Sequence, residues 1–230
     1  TPFVNDMREM LAMLQKCYNC PVDLEFTANF EENRSYKINL LQCRPLQVRS
    51  GGGLAIRMAE PPEQDCIIRS RGAIVGQSLM TAVDYFIYVV PEKYSALPMR
   101  ERYSVAQMIG EVNRAIPAEG SPVVMMIGPG RWGTSSPSLG IPVAFTDINR
   151  VSILCEIAMI HENLIPDVSL GTHFLNELVE QDMLYLALFP QQDEDRLNAG
   201  ILEQAENRLA KLVPEAAAYT SVARIVRAGD

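Results

Sequence analysis

Asp23, Glu25, Gln42 and Arg44 are the residues of this 230-residue chain whose types and spacing most suggest chemistry. They lie in two short runs, Pro21–Thr27 and Tyr36–Arg44, separated by a polar loop, Ala28–Ser35. Val22, Leu24 and Phe26 share one face of the first run, with Asp23 and Glu25 on the other. In the second, Leu41 and Cys43 share a face and Gln42 and Arg44 oppose them. Such alternation predicts half-buried strands. A hairpin closed near the middle of the loop sets Glu25 across from Gln42 and Asp23 across from Arg44, gathering four polar groups over an apolar layer. Carboxylate and amide oxygens are hard ligands suited to Mg²⁺, and a guanidinium grips phosphate. The chemistry this suggests is that of a metal-bound polyphosphate. The bland alternative is a surface hairpin with a solvated charged face.

A second constellation is Gly128-Pro-Gly-Arg-Trp-Gly-Thr-Ser-Ser136, placed after an apolar run. Glycines permit close backbone approach, and successive N–H groups in such a turn can form an anion nest. Gly128, Gly130, Arg131 and Thr134 are the candidate anion contacts, and Trp132, the only Trp, could wall the site. The segment lacks the G-K-[ST] ending of a phosphate-binding P-loop. Its pattern serves an anion-binding loop and a packed structural turn equally well. His173 follows Gly171-Thr172 at a predicted helix start, where N–H groups favour an anion. It is read either as a phosphorylated catalytic histidine or, more simply, as a satisfied helix-cap residue. Glu156 sits in an apolar run and needs a partner, for which Arg131 is a candidate; it reads either as half of a structural ion pair or as a catalytic acid. His161 reads as a surface residue. Cys17 and Cys20 make a lone C-x-x-C with no second pair to complete a zinc site, and are taken as incidental.

The elements that must position these groups alternate between helix and strand. Asn5–Tyr18 has amphipathic spacing, and Arg49–Gly53 is the best linker signal, dividing residues 1–50 from 54–230. Strands are predicted at Cys66–Ser70, Asp84–Val90, Pro122–Ile127, Pro142–Asp147, Ser152–Ala158, Met183–Phe189 and Ser221–Ala228. Tyr94–Ala96 with Pro98 reads as a turn region. Helices are predicted at Glu101–Ala115, at Thr172–Gln181 with Thr172 as N-cap, and over Asp193–Val213 with a break at Gly200. The fold class is therefore α/β or α+β, with a mixed sheet and flanking helices.

Asp23-Leu24-Glu25-Phe26 and Leu41-Gln42-Cys43-Arg44-Pro45 resemble the last two strands of the nucleotide-binding domain in the pyruvate phosphate dikinase and phosphoenolpyruvate synthase family, and Met7–Tyr18 resembles the helix before them. The resemblance implies that residues 1–50 are the terminal helix and hairpin of an ATP-grasp domain. It further implies that Glu25 and Gln42 hold Mg²⁺ and that Arg44 contacts phosphate of ATP. The rest of that domain's nucleotide site would lie upstream, so the chain is expected to be the C-terminal portion of a longer phosphotransferase and inactive alone. Gly128–Thr134, Gly140-Ile141-Pro142-Val143 and Gly171-Thr172-His173-Phe174 resemble the C-terminal region of a subgroup of long phosphoenolpyruvate-synthase-like proteins. The family's T-S-H-A phosphohistidine sequence is missing, as is any sign of its phosphoenolpyruvate-binding barrel. That leaves the phosphoryl acceptor open.

Composition bounds the alternatives. With 28 acidic against 20 basic residues the net charge is −8, which opposes a nucleic-acid surface. No apolar run is long enough for a transmembrane helix, and five cysteines fit a reducing cytoplasm better than a disulfide framework. The expected partners are a nucleotide and a small anionic substrate, with self-association possible. The rival functional reading is a non-catalytic module that recognises a small anion at Gly128–Ser136; a third is an architectural domain.

Overall fold

The computed structural model describes residues 2–19, 22–31, 35–45, 61–71, 73–76, 80–159 and 168–229. The chain divides into two compact units, Thr1–Ser50 and Gly51–Asp230. The linker expected at Arg49–Gly53 lies outside the described residues, as does His161.

The N-terminal unit consists of α1 (Pro2–Tyr18), β1 (Val22–Phe30) and β2 (Tyr36–Pro45). β1 runs three residues further toward the loop than the expected end at Thr27, whereas β2 begins at Tyr36 as expected. They pair antiparallel with Glu25 opposite Gln42 and Asp23 opposite Arg44. Phe3 of α1 packs on the apolar face, its ring 6.3, 5.3 and 5.4 Å from those of Phe26, Phe30 and Tyr36. The Tyr36 hydroxyl donates to Asp6, and this bond pushes the phenol up to about 12. The register shifts between Glu25 and Phe26, so Phe26 faces Leu40 and Leu41 is passed over. The cause is a phase slip in the sequence. Tyr36, Ile38 and Leu40 alternate on even numbers, whereas Cys43 is odd. Without a bulge, half of this set would turn to the polar face. Leu41 therefore does not join Cys43 in the apolar layer and is 64% exposed.

In the second unit a 3₁₀ turn, Glu63–Asp65, precedes β3 (Ile68–Arg69), β4 (Ile74–Val75) and β5 (Tyr85–Val89). Next come α2 (Pro91–Ser95), α3 (Met99–Ala115) and β6 (Val124–Pro129). The glycine-rich segment carries β7 (Arg131–Trp132) and β8 (Gly140–Ile141), followed by α4 (Phe145–Ile148) and β9 (Ile153–Ile157). The remainder holds α5 (His173–Glu180), β10 (Leu184–Leu188), β11 (Arg196–Leu197), α6 (Ala199–Gln204), α7 (Leu209–Leu212) and β12 (Ala223–Arg227).

Six strands form a mixed sheet in the order β12-β5-β6-β9-β10-β4. The four middle strands are parallel and follow chain order, and β12 and β4 close the edges antiparallel. Parallel neighbours need crossover connections, and the common hand of such connections places successive ones on the same face. One core layer accordingly joins Ile87, Met126, Leu154 and Tyr185 to Val105, Ile109 and Val112 of α3 and Leu178 of α5. The opposite layer, with Tyr88, Ile127, Cys155 and Leu188, is covered by Leu202 of α6 and by residues around the β3–β11 ribbon. Burial on both faces explains why these strands read as continuous apolar runs.

Three expectations change. Pro142–Asp147 is not a strand: Asp147 accepts from Ala144 N at 2.8 Å and starts α4. Tyr94–Ala96 belongs to the end of α2, which Pro91 initiates. The helix predicted over Asp193–Val213 is not continuous: Arg196–Leu197 is β11, α6 holds Gly200 within it and ends before Ala205, whose backbone is extended, and α7 follows at Leu209–Leu212.

Arginines close several helix ends, where the last carbonyls lack intrahelical donors. Arg102 donates to Ser95 O at 2.7 Å after α2, and Arg224 donates to Leu202 O and Ala205 O at 3.0 and 2.7 Å after α6. Arg150 Nη1 reaches Asn113 O and Ile116 O at 3.1 and 3.0 Å where α3 ends. Arg150→Ala should cost about 1–2 kcal/mol in urea unfolding; a change within about 0.3 kcal/mol would mean that solvent serves these carbonyls equally well.

Candidate functional site

The polar face of the hairpin carries the first group of candidate residues. Arg44 Nε donates to Asp23 Oδ2 at 3.1 Å, with side chains 35% and 27% exposed. The Glu25–Gln42 pair lies two positions further along β1. Beyond the bulge Asn39 Nδ2 donates to Thr27 Oγ1 at 3.3 Å, extending the polar face. Among the described residues no three His, Cys, Asp or Glu side chains cluster as a metal site. Glu25 and Gln42 offer one carboxylate and one amide oxygen, a partial set of the kind Mg²⁺ accepts when phosphate and water supply the rest.

The glycine-rich segment is bonded inward. Gly130 N donates to Ile157 O at 2.8 Å, Arg131 N to Leu139 O at 3.0 Å and Gly133 N to Ile141 O at 3.1 Å. Trp132 N donates to Glu156 Oε1 at 2.9 Å. An anion nest needs such N–H groups directed at the ligand, and these four are committed to the protein. A Cβ on Gly128 would stand 2.5 Å from the Trp132 ring, so this glycine makes room for the indole. Thr134 Oγ1 accepts from Ser136 N at 3.2 Å within a local turn. Of the two readings of the segment, a packed structural turn is the one these bonds describe. At Gly130, φ is +66° and a Cβ would lie 2.3 Å from Leu139 O. Gly130→Ala should therefore cost more than about 2 kcal/mol, read as a lowered urea midpoint; an unchanged midpoint would show that the loop relaxes freely.

Glu156 is fully buried and central to this assembly. Oε1 accepts from Trp132 N and, at 2.6 Å, from Ser169 Oγ. Oε2 accepts from Ser169 N and from Tyr185 Oη, both at 2.7 Å. The partners are thus neutral donors rather than Arg131. Burial raises the Glu156 carboxyl above its ordinary range, and these hydrogen bonds pull in the opposite direction. The same burial, with the carboxylate beside it, raises the Tyr185 phenol. Glu156 in its apolar run signals a buried carboxylate in need of donors, but nothing in the sequence marks Ser169, and Tyr185 reads as an ordinary apolar-strand residue.

His173 opens α5 and is exposed. Thr172 is the N-cap: its hydroxyl accepts from Leu175 N at 3.4 Å and donates to Ser169 O at 2.7 Å. Phe174 covers Gly133, where a Cβ would lie 2.4 Å from the ring. The glycine-rich loop, Glu156 and the start of α5 are therefore one packed body carrying Arg131 and His173, whereas Glu25, Gln42 and Arg44 belong to the N-terminal unit. Cys17 is an exposed free thiol, and its C-x-x-C partner lies outside the described residues. No protein-family model, curated protein or solved structure matches the chain.

Proposed function

We propose that this chain contributes Mg²⁺- and phosphate-binding residues to an ATP-dependent phosphotransferase of the pyruvate phosphate dikinase and phosphoenolpyruvate synthase type, with the terminal hairpin of an ATP-grasp domain at residues 1–50. The observation that carries this reading is the cross-strand register, which sets Glu25 against Gln42 beside the Asp23–Arg44 pair. The motifs shared with the family give those positions their roles. Bound Mg²⁺ supplies charge neutralisation to a transferring phosphoryl group. Glu25 and Gln42 would hold the ion through oxygen. Asp23, bonded to Arg44 Nε, fixes the plane of a guanidinium suited to phosphate oxygens. The rival reading, a small-anion module at Gly128–Ser136, has less support because its N–H groups already have protein acceptors.

The test is ATP-dependent phosphoryl transfer by the complete enzyme, followed with γ- and β-labelled nucleotide. Gln42→Ala and Arg44→Ala should each lose about 10²-fold or more, while Thr27→Ala, on the same face, should stay within about twofold of the parent. Equal behaviour of all three variants would reject the assignment.

A further inference from the structure

A cleft of about 560 Å³ opens at the carboxyl ends of β5, β9 and β10. The volume lies in the range of small-molecule sites. Its floor includes Tyr88, Ile157 and Leu188, each 2% exposed. The walls differ in charge. Glu92 comes from α2; the opposite side carries Arg69 and Arg196 of the β3–β11 ribbon with two carboxylates, Glu63, paired with Arg196, and Asp195, which accepts from Arg71 N and Phe189 N.

Tyr88 supplies an independent sign of a ligand. Its side chain is buried, yet its hydroxyl has no hydrogen-bond partner among the described residues. No unpartnered side-chain N or O among them is shut off from solvent, so the Tyr88 hydroxyl keeps some exposure, and Tyr88 lines the cleft. Burial, with Glu203 and Glu92 nearby, raises this phenol, which therefore stays a proton donor at neutral pH. Buried phenols ordinarily find a partner. A ligand acceptor would complete this one. Arg196 pairs with Glu63 on the exposed rim, a contact that a ligand anion can replace at little cost because exposed ion pairs are weak.

We propose that this cleft binds a small zwitterion with an apolar body, of aromatic amino-acid class: the body over Tyr88, Ile157 and Leu188, the ammonium toward Glu92, and the carboxylate toward the arginine wall and the Tyr88 hydroxyl. The proposal is independent of the hairpin chemistry, because every residue it uses lies in the second unit.

Calorimetric titration of the chain with L-tryptophan tests it, with tryptamine and indole-3-propionate as probes lacking the carboxylate and the ammonium. L-tryptophan should bind at least about tenfold more tightly than either probe, the equivalent of about 1.4 kcal/mol. Tyr88→Phe and Arg196→Ala should each weaken L-tryptophan about tenfold while leaving the urea midpoint in place. Glu92→Gln should abolish the preference for L-tryptophan over indole-3-propionate. Absence of binding at millimolar L-tryptophan, equal affinity for all three probes, or binding untouched by Tyr88→Phe and Arg196→Ala would each overturn the proposal.

Discussion

Glu156→Ala should destabilise the second unit by about 4 kcal/mol or more, enough to threaten folding at ordinary temperature. The carboxylate is the common acceptor for Trp132 N, Ser169 N, Ser169 Oγ and Tyr185 Oη. Removing it strands two backbone N–H groups in the core and leaves a cavity. The two hydroxyls can rotate to other acceptors, but the N–H groups cannot. Glu156→Gln is informative for the same reason. Whichever way the amide turns, its NH₂ meets either Trp132 N–H or Ser169 N–H, donor against donor. That variant should lose about 1–3 kcal/mol despite its near-identical shape. Tyr185→Phe, which removes a single rotatable donor, should lose about 1 kcal/mol. Urea unfolding followed by Trp132 fluorescence measures all three, since this lone Trp is bonded through both its backbone N and its indole Nε1, the latter to Cys155 O at 3.0 Å. If Glu156→Ala stays within about 1 kcal/mol of the parent, the network is not what holds the loop to α5.

The pH dependence has a definite sign. Burial raises the folded-state Glu156 carboxyl above its ordinary value. As pH climbs from about that value, the unfolded chain releases this proton first. The folded state then binds more protons, and stability falls until pH passes the raised value. Glu156→Gln should remove this component, so the parent-minus-variant difference in unfolding free energy should decrease with pH across that window. A difference that rises with pH would mean that the hydrogen bonds outweigh burial and that the carboxyl is depressed instead.

Much of the scaffold was legible because local rules and tertiary packing agree. Val105, Met108, Ile109 and Val112 mark one face of α3, and Pro117 stops it. Thr172 announced the start of α5 by its capping chemistry. The hairpin's two faces followed from alternation, and its register from the further assumption that the chain closes near the middle of the loop. Its bulge was also encoded, in the adjacent Leu40 and Leu41, but the change of phase there went unread. The α4 segment misled because Ile141, Val143 and Phe145 alternate like a strand, while a single Asp147 side chain settles the local bonding. The Glu156 partners were illegible for a different reason. Ser169 and Tyr185 reach it only once β9 and β10 lie side by side. Likewise, a glycine-rich sequence reveals its backbone freedom without showing whether its N–H groups point outward or in. The β3–β11 pairing joins segments far apart in sequence, so the cleft beside it had no local signature.

Glu25→Ala in the complete enzyme should lower kcat by about 10²–10³-fold, the equivalent of roughly 3–4 kcal/mol of transition-state stabilisation. The expectation rests on position. Glu25 faces Gln42 beside the Asp23–Arg44 pair, and the apolar side of the hairpin is packed separately against Phe3 of α1. Removing the carboxylate therefore leaves the aromatic packing intact and should change stability by no more than about 0.5 kcal/mol. A loss of activity without a loss of fold is the signature sought. Glu25→Gln sharpens it by keeping an oxygen ligand while deleting the charge, so its apparent requirement for Mg²⁺ should rise and excess Mg²⁺ should restore part of the rate. Glu25→Ala, lacking the ligand altogether, should recover much less. Initial rates across a Mg²⁺ titration at saturating ATP separate the two variants. Near-parental kcat in both would reject metal binding at this pair and leave the hairpin as a solvated surface. Equal, Mg²⁺-insensitive losses would place Glu25 in the geometry of the strand rather than at the ion.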